Sequence, residues 1–203
     1  LKQSLASGVI PQITAIFGTC GGGLALVPGL TDFTFMEEKK AKLFVNTPNA
    51  LADNKAGKCD TADAKFQSEE AGLADFTGTE EEIFAGIRQL VSILPANNED
   101  DSTYEECTDD LNRVCADLEN TVGDTSILLS SISDDNLFVE VKAAYAKEMV
   151  TGFIKLNGMT VGAVANRTEV YGDDGEKKEE FEAVLTAKGA RKAAKFVEFC
   201  DAF

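Results

Sequence analysis

The sequence contains no histidine. Ser-His-Asp and Cys-His catalytic sets are therefore excluded within this chain, as are H-E-x-x-H zinc sites. Any chemistry here must use backbone groups, carboxylates, lysines or tyrosines, or a ligand that moves its own protons. No two of the five cysteines, Cys20, Cys59, Cys107, Cys115 and Cys200, form a C-x-x-C pair, and their number is odd. That argues against a zinc or redox site and for reduced thiols in a cytoplasmic protein. No stretch approaches the ~20 apolar residues of a membrane helix. Bases are scarce, 19 against 35 acids for a net charge of −16. Such a chain repels phosphate backbones and anionic surfaces, so neither nucleic acid nor direct membrane insertion is expected.

What is present reads as α/β architecture. Residues 12–17 predict a buried strand, Gly18 to Gly23 a turn, and 24–30 a short apolar helix. Strands are expected at 34–36 and 42–45. Thr79 and Glu82 form a capping box for a helix over 80–94, whose apolar face is Ile83, Ile87, Leu90, Val91 and Leu94. Pro95 stops it. Residues 97–120 carry nine acids and one base, Arg113. They read as a linker with a short helix near 111–118. A helix at 126–132 and a strand at 138–141 follow. The Asn157-Gly158 pair predicts a hairpin of 150–156 with 160–165. A last helix, 186–203, places Ala193, Phe196, Val197, Cys200 and Phe203 on its apolar face, with Lys188, Arg191, Lys192 and Lys195 on the solvated side.

The glycine triplet Gly21-Gly22-Gly23 is the sharpest local feature. Glycines between a strand end and a helix start let another group approach the main chain. The first helical N–H groups are unpaired and lie at the positive end of the helix dipole, which suits a developing oxyanion. Tight strand-to-helix packing explains the same glycines equally well. A P-loop is excluded because Leu24 follows the triplet, and a dinucleotide fingerprint because position 26 is Leu26. Cys20 reads as a small buried residue, since no histidine activates it. Asp173 and Asp174 lie in a turn context, which gives little support to a metal site.

Larger segments carry a resemblance. Gly8-Val9-Ile10-Pro11-Gln12-Ile13, the glycine triplet, Pro28 and Leu30-Thr31-Asp32-Phe33-Thr34-Phe35-Met36 are similar to the carboxyltransferase subunits of biotin-dependent acyl-CoA carboxylases and decarboxylases, of the propionyl-CoA carboxylase β and methylmalonyl-CoA decarboxylase α type. Three later stretches continue the match in order: Ser133 to Glu140, Gly152 to Gly162, and Lys188 to Arg191 with Phe199 to Phe203.

The resemblance implies a crotonase-like fold of ββα spirals, with parts of two tandem domains: 1–96 as the second half of the first, 97–120 as the acidic linker, and 121–203 as the first half of the second. The chain would then be an internal piece, inactive alone. Two half-domains would each expose an apolar face, so the expectation is that they close on each other, or on a second copy, as a circularly permuted domain. Gly22 and Gly23 match the family's first oxyanion hole, with Gly21 where alanine is common. The implied chemistry moves a carboxyl group between carboxybiotin and a short acyl-CoA. Biotin itself is the base, so the protein supplies position and oxyanion stabilisation. Biotin would ride on a separate domain or subunit, because none of Met36, Met149 or Met159 precedes a lysine. Implied partners are a biotin carrier protein, biotin carboxylase or decarboxylase subunits, and further copies of the chain. Gln67 departs from the family, where histidine is usual. A crotonase-type enoyl-CoA hydratase or isomerase and a non-catalytic assembly module are the alternative readings.

Overall fold

The computed structural model describes residues 1–46, 60–100, 104–116, 118–172 and 174–203. Two compact units divide the chain: Leu1–Ser92 with Ala96–Asn98 and Ala202–Phe203, and Ile93–Pro95 with Glu99–Asp201. The strand expected at 12–17 lies in a parallel sheet of the first unit, and the one expected at 160–165 lies in an antiparallel sheet of the second.

The first unit opens with α1 (Lys2–Ala6) and then builds a parallel sheet from β1 (Ile13–Ile16), β3 (Phe33–Glu37) and β5 (Phe76–Gly78), in that order. Central β3 is buried along its whole length, as expected of a strand covered on both faces. On one face, Phe35 stacks on Phe76 at 4.4 Å between centroids. Helix α3 (Glu80–Ile93) comes so close there that a Cβ on Gly86 would stand 3.2 Å from the Phe35 ring. On the other face, Ile16 and Met36 join Cys20, Ala25, Leu43, Ala64 and Ala74 in one apolar cluster. That layer holds the second, smaller parallel sheet, β2 (Thr19–Gly21) with β4 (Lys42–Phe44), and helix α2 (Ala64–Glu69).

The capping box forms as expected. Thr79 N–H donates to Glu82 Oε2 at 2.7 Å, and Glu82 N–H donates back to Thr79 Oγ1 at 3.3 Å. Of the predicted α3 face, Ile83 and Leu90 are buried, whereas Val91 is 58% exposed and Ile93 takes an inward place. Gln67 lies on α2 and donates from its side chain to the Thr61 carbonyl.

The second unit contains α4 (Leu118–Thr121), α5 (Thr125–Ile132), an antiparallel sheet of β6 (Phe138–Glu140), β7 (Met149–Leu156) and β8 (Met159–Asn166), a hairpin of β9 (Glu169–Tyr171) with β10 (Lys177–Glu180), and α6 (Ala187–Ala202). The hairpin at Asn157-Gly158 turns as predicted, with φ of 52° and 78° at its two central residues. Those left-handed values suit Asn-Gly. Leu129 of α5 covers Val150 and Ile154 on one face of this sheet. On the other, Phe153 meets Phe196 and Phe199 of α6.

No helix spans 111–116. Asp110 holds a turn there by accepting Asn112 N–H, and Arg113 reaches away to the Ser131 and Ser133 carbonyls at the end of α5, at 2.8 and 2.6 Å. Glu105 N–H donates to the Gly158 carbonyl, and Tyr104 bridges to Met159. Within the acidic segment, Tyr104 and Glu105 are thus fastened to β8 and its turn.

The last helix differs from expectation in its inward face. Gly189, Lys192 and Phe196 are buried, while Val197 is 53% exposed and Cys200 is exposed. Positions 189, 192, 196, 199 and 203 follow helical spacing as well as the predicted set does, but Lys192 makes that stripe read as polar.

Candidate active site

The site is built where β2 runs out. Thr19, Cys20 and Gly21 pair in parallel with Lys42, Leu43 and Phe44. The chain then enters a 3-10 turn at Gly22–Leu26, and a second one, Pro28–Leu30, follows. The predicted α-helix over 24–30 is replaced by these two turns for a local reason. Pro28 has no N–H to give the Leu24 carbonyl, so Val27 N–H takes it at 3.0 Å in the tighter i to i−3 pattern.

Each glycine of the triplet has its own cause. A Cβ on Gly21 would stand 2.8 Å from the Phe44 ring, so the space an alanine methyl would need is already filled. Gly22 has φ +63°, in the left-handed region where glycine alone is unstrained. A Cβ on Gly23 would meet nothing within 4 Å. The N–H groups that open a helical turn have no carbonyl three residues back to bind. Gly22 and Gly23 hold those positions, and no atom lies within 4 Å of where a Cβ on either would stand.

A cavity of about 280 Å³ adjoins the turn. Its wall runs from Thr14 to Cys20, breaks at the glycines, and resumes at Leu24, Val27 and Pro28. The rim is fixed by hydroxyls: Thr31 and Thr34 both donate to the Pro28 carbonyl at 3.2 Å, and Thr31 shares a hydrogen bond with Thr14. Phe17 stacks on Phe84 at 5.2 Å at the end of β1. The cavity is thus lined by residues on both sides of the glycine triplet in sequence, Ile16, Phe17, Leu24 and Val27 among them, and not by the triplet itself.

Cys20 is buried beside the glycines, and burial raises its thiol pKa. It is held as a neutral packing residue, as the sequence suggested. Among the described residues no group of three or more His, Cys, Asp or Glu is placed to hold a metal ion. Asp174 instead accepts from Lys178 and from Glu176 N–H, which lower its pKa in that order; Asp173 and Cys59 lie outside the described residues. No helix of the described residues is long and apolar enough to cross a membrane. Cys20, Cys107, Cys115 and Cys200 are free.

Parallel ββ layers that lead into a glycine turn, backed by a helix, define the class: this is a crotonase-like α/β protein. Solved structures agree. The transcarboxylase 12S hexamer core with hydrolysed methylmalonyl-coenzyme A superposes with a TM-score of 0.83 at 28% identity, covering 99% of this chain and 39% of that one. A single-chain long-chain acyl-CoA carboxylase shares the fold at a TM-score of 0.71 and 16% identity, over 98% of this chain and 20% of that one. The sequence makes the assignment specific. Residues 1–203 match the carboxyl transferase domain, and the chain belongs to that family. It is 37% identical over 214 residues to the carboxyltransferase subunit of propionyl-CoA carboxylase from Haloferax mediterranei. It is 34% identical over 224 residues to the propionyl-CoA carboxylase beta chain of Roseobacter denitrificans. All of this chain but only 39% and 40% of those proteins is covered, so it spans about two fifths of their length.

Proposed function

We propose that the protein containing this chain transfers a carboxyl group between biotin and a short acyl-CoA, with the enolate oxygen of the thioester held by the main-chain N–H groups of Gly22 and Gly23. The observation that carries this reading is the turn itself: Gly22 and Gly23, with no neighbouring atom where a Cβ would point, at the first positions of a helical turn next to the cavity. Two fixed N–H donors stabilise negative charge that develops on a carbonyl oxygen, and they need no reorganisation at the moment of reaction. Leu24 and Val27 supply apolar surface for the acyl chain. Bound biotin brings the carboxyl group and the proton acceptor, so the glycine turn needs no histidine beside it.

The cofactor rides on a carrier protein, and the reaction is completed by biotin carboxylase or decarboxylase subunits. Further copies of the chain complete the oligomer, in keeping with the hexamer described for transcarboxylase 12S. The cytoplasm is the proposed compartment; there the four free cysteines of the described residues stay reduced. The full-length protein is expected to move isotopic label from a carboxylated acyl-CoA to biotin, and only when biotin is added. Hydration of an enoyl-CoA in the absence of biotin, with no label transfer in its presence, would replace this reading with a hydratase.

A further inference from the structure

The second unit buries a set of charges that the proposed chemistry does not use. Lys192 of α6 is 2% exposed, and its Nζ donates to the Tyr145 carbonyl at 2.8 Å. The groups facing it come from every element around it: Glu140 from β6, Lys142 and Glu148 from the loop that joins β6 to β7, and Arg167 just after β8. Asp124, which caps α5, acts on Glu140 in turn. The set balances, three cations against three anions, yet the ion pairs of Arg167 are long. The guanidinium of Arg167 stands 3.5 Å from Asp124 and 3.4 Å from Glu140. Glu140 Oε1 is buried and takes part in no hydrogen bond. An ammonium group surrounded in this way is poorly repaid for leaving water.

The 141–148 loop is itself under constraint. Lys142 and Ala146 have φ of 56° and 44°, a region that residues with a Cβ seldom adopt. Two buried cations pin this backbone, Lys192 on the Tyr145 carbonyl and Arg167 Nε on the Lys147 carbonyl at 2.8 Å. Thr186, next to the start of α6, bonds Glu148 at the end of the same loop.

We propose that Lys192 is a proton-operated latch: α6 closes over the 141–148 loop most tightly when Lys192 is uncharged, and opens more readily when it carries its proton. The direction follows from burial, which lowers the Lys192 pKa to about 8 against the upward pull of Glu140. Opened to water, the same amine titrates near the ordinary value of about 10.4. Between about pH 8 and about 10.4 the open form binds one more proton than the closed form, so closure strengthens by roughly tenfold per pH unit. Below about pH 8 both forms are protonated and the dependence vanishes. The neutral amine still donates to the Tyr145 carbonyl, so deprotonation removes the buried charge without removing the hydrogen bond.

Competitive labelling tests this on the full-length protein. An amine-reactive anhydride is applied in trace amount from pH 7 to 10, with Nα-acetyl-lysine amide in the same tube, and the Lys192 peptide is quantified by mass spectrometry. The ratio of Lys192 labelling to the free amine is expected to stay level up to about pH 8, then fall about tenfold per unit. Glu140→Gln removes the anion that favours the ammonium, so the break should move to lower pH. A ratio that stays level from pH 7 to 10, or a break that Glu140→Gln leaves in place, overturns the proposal.

Discussion

Gly23→Pro is expected to lower carboxyl transfer by the full-length protein by on the order of 10²–10³, because proline removes one of the two proposed oxyanion donors. Gly23→Ala is the matched control. It keeps the N–H, and its methyl would enter space where no atom lies within 4 Å. The alanine variant should therefore stay within a few-fold of the parent while the proline variant fails, and the gap between them isolates the donor. Gly22→Pro should fail as well, but it also forces a residue at φ +63° to about −65°, so its loss combines donor and backbone. Proline at position 23 with near-parental turnover and an intact fold would remove this N–H from the mechanism.

Phe196→Ala is expected to destabilise the second unit by about 3–5 kcal/mol, the range for deleting a buried aromatic side chain. The ring is 5% exposed and meets Phe153 at 5.0 Å. Val197→Ala, one residue on, should change stability by less than about 0.5 kcal/mol, since Val197 is 53% exposed. Denaturant midpoints of the two variants read the contrast directly; similar losses for both would mean that α6 is seated on a different face.

That pair also marks where the sequence was readable and where it was not. Apolar periodicity located α6 to within a residue at its start, because spacing of 3.6 survives whatever the helix touches. It reaches buried Phe196 but misses Gly189 and Lys192, because a lysine counts as polar until the carbonyl that receives it is visible. In α3 the apolar spacing points to Val91, yet Ile93 is the residue that is buried. Local signals fared better. Asn157-Gly158 and the Thr79–Glu82 box each specify their own geometry within a few residues, and both formed as expected.

The candidate site was legible as a glycine triplet and a resemblance, but the reason for each glycine was not. Gly21 depends on a ring twenty-three positions along the chain, at Phe44, which no local pattern announces. The 24–30 helix failed for a cause that stands in the sequence: Pro28 cannot supply the i to i−4 bond, so the apolar run settles into 3-10 turns. The acidic 97–120 stretch looked like a tether because acids and few large apolar groups seldom build a core. Within it, Glu105 N–H and the single base, Arg113, make bonds to the second unit that composition cannot weigh.

The central claim is that Gly22 and Gly23 hold the thioester oxygen, and one measurement bears on it most directly. It is a crystal structure of the full-length protein with an acyl-CoA analogue whose thioester is replaced by a stable enolate mimic. The account predicts the mimic's oxygen at about 2.7–3.1 Å from the N atoms of Gly22 and Gly23, with the acyl chain against Leu24 and Val27. An oxygen bound elsewhere, with both glycine N–H groups facing water, would contradict it.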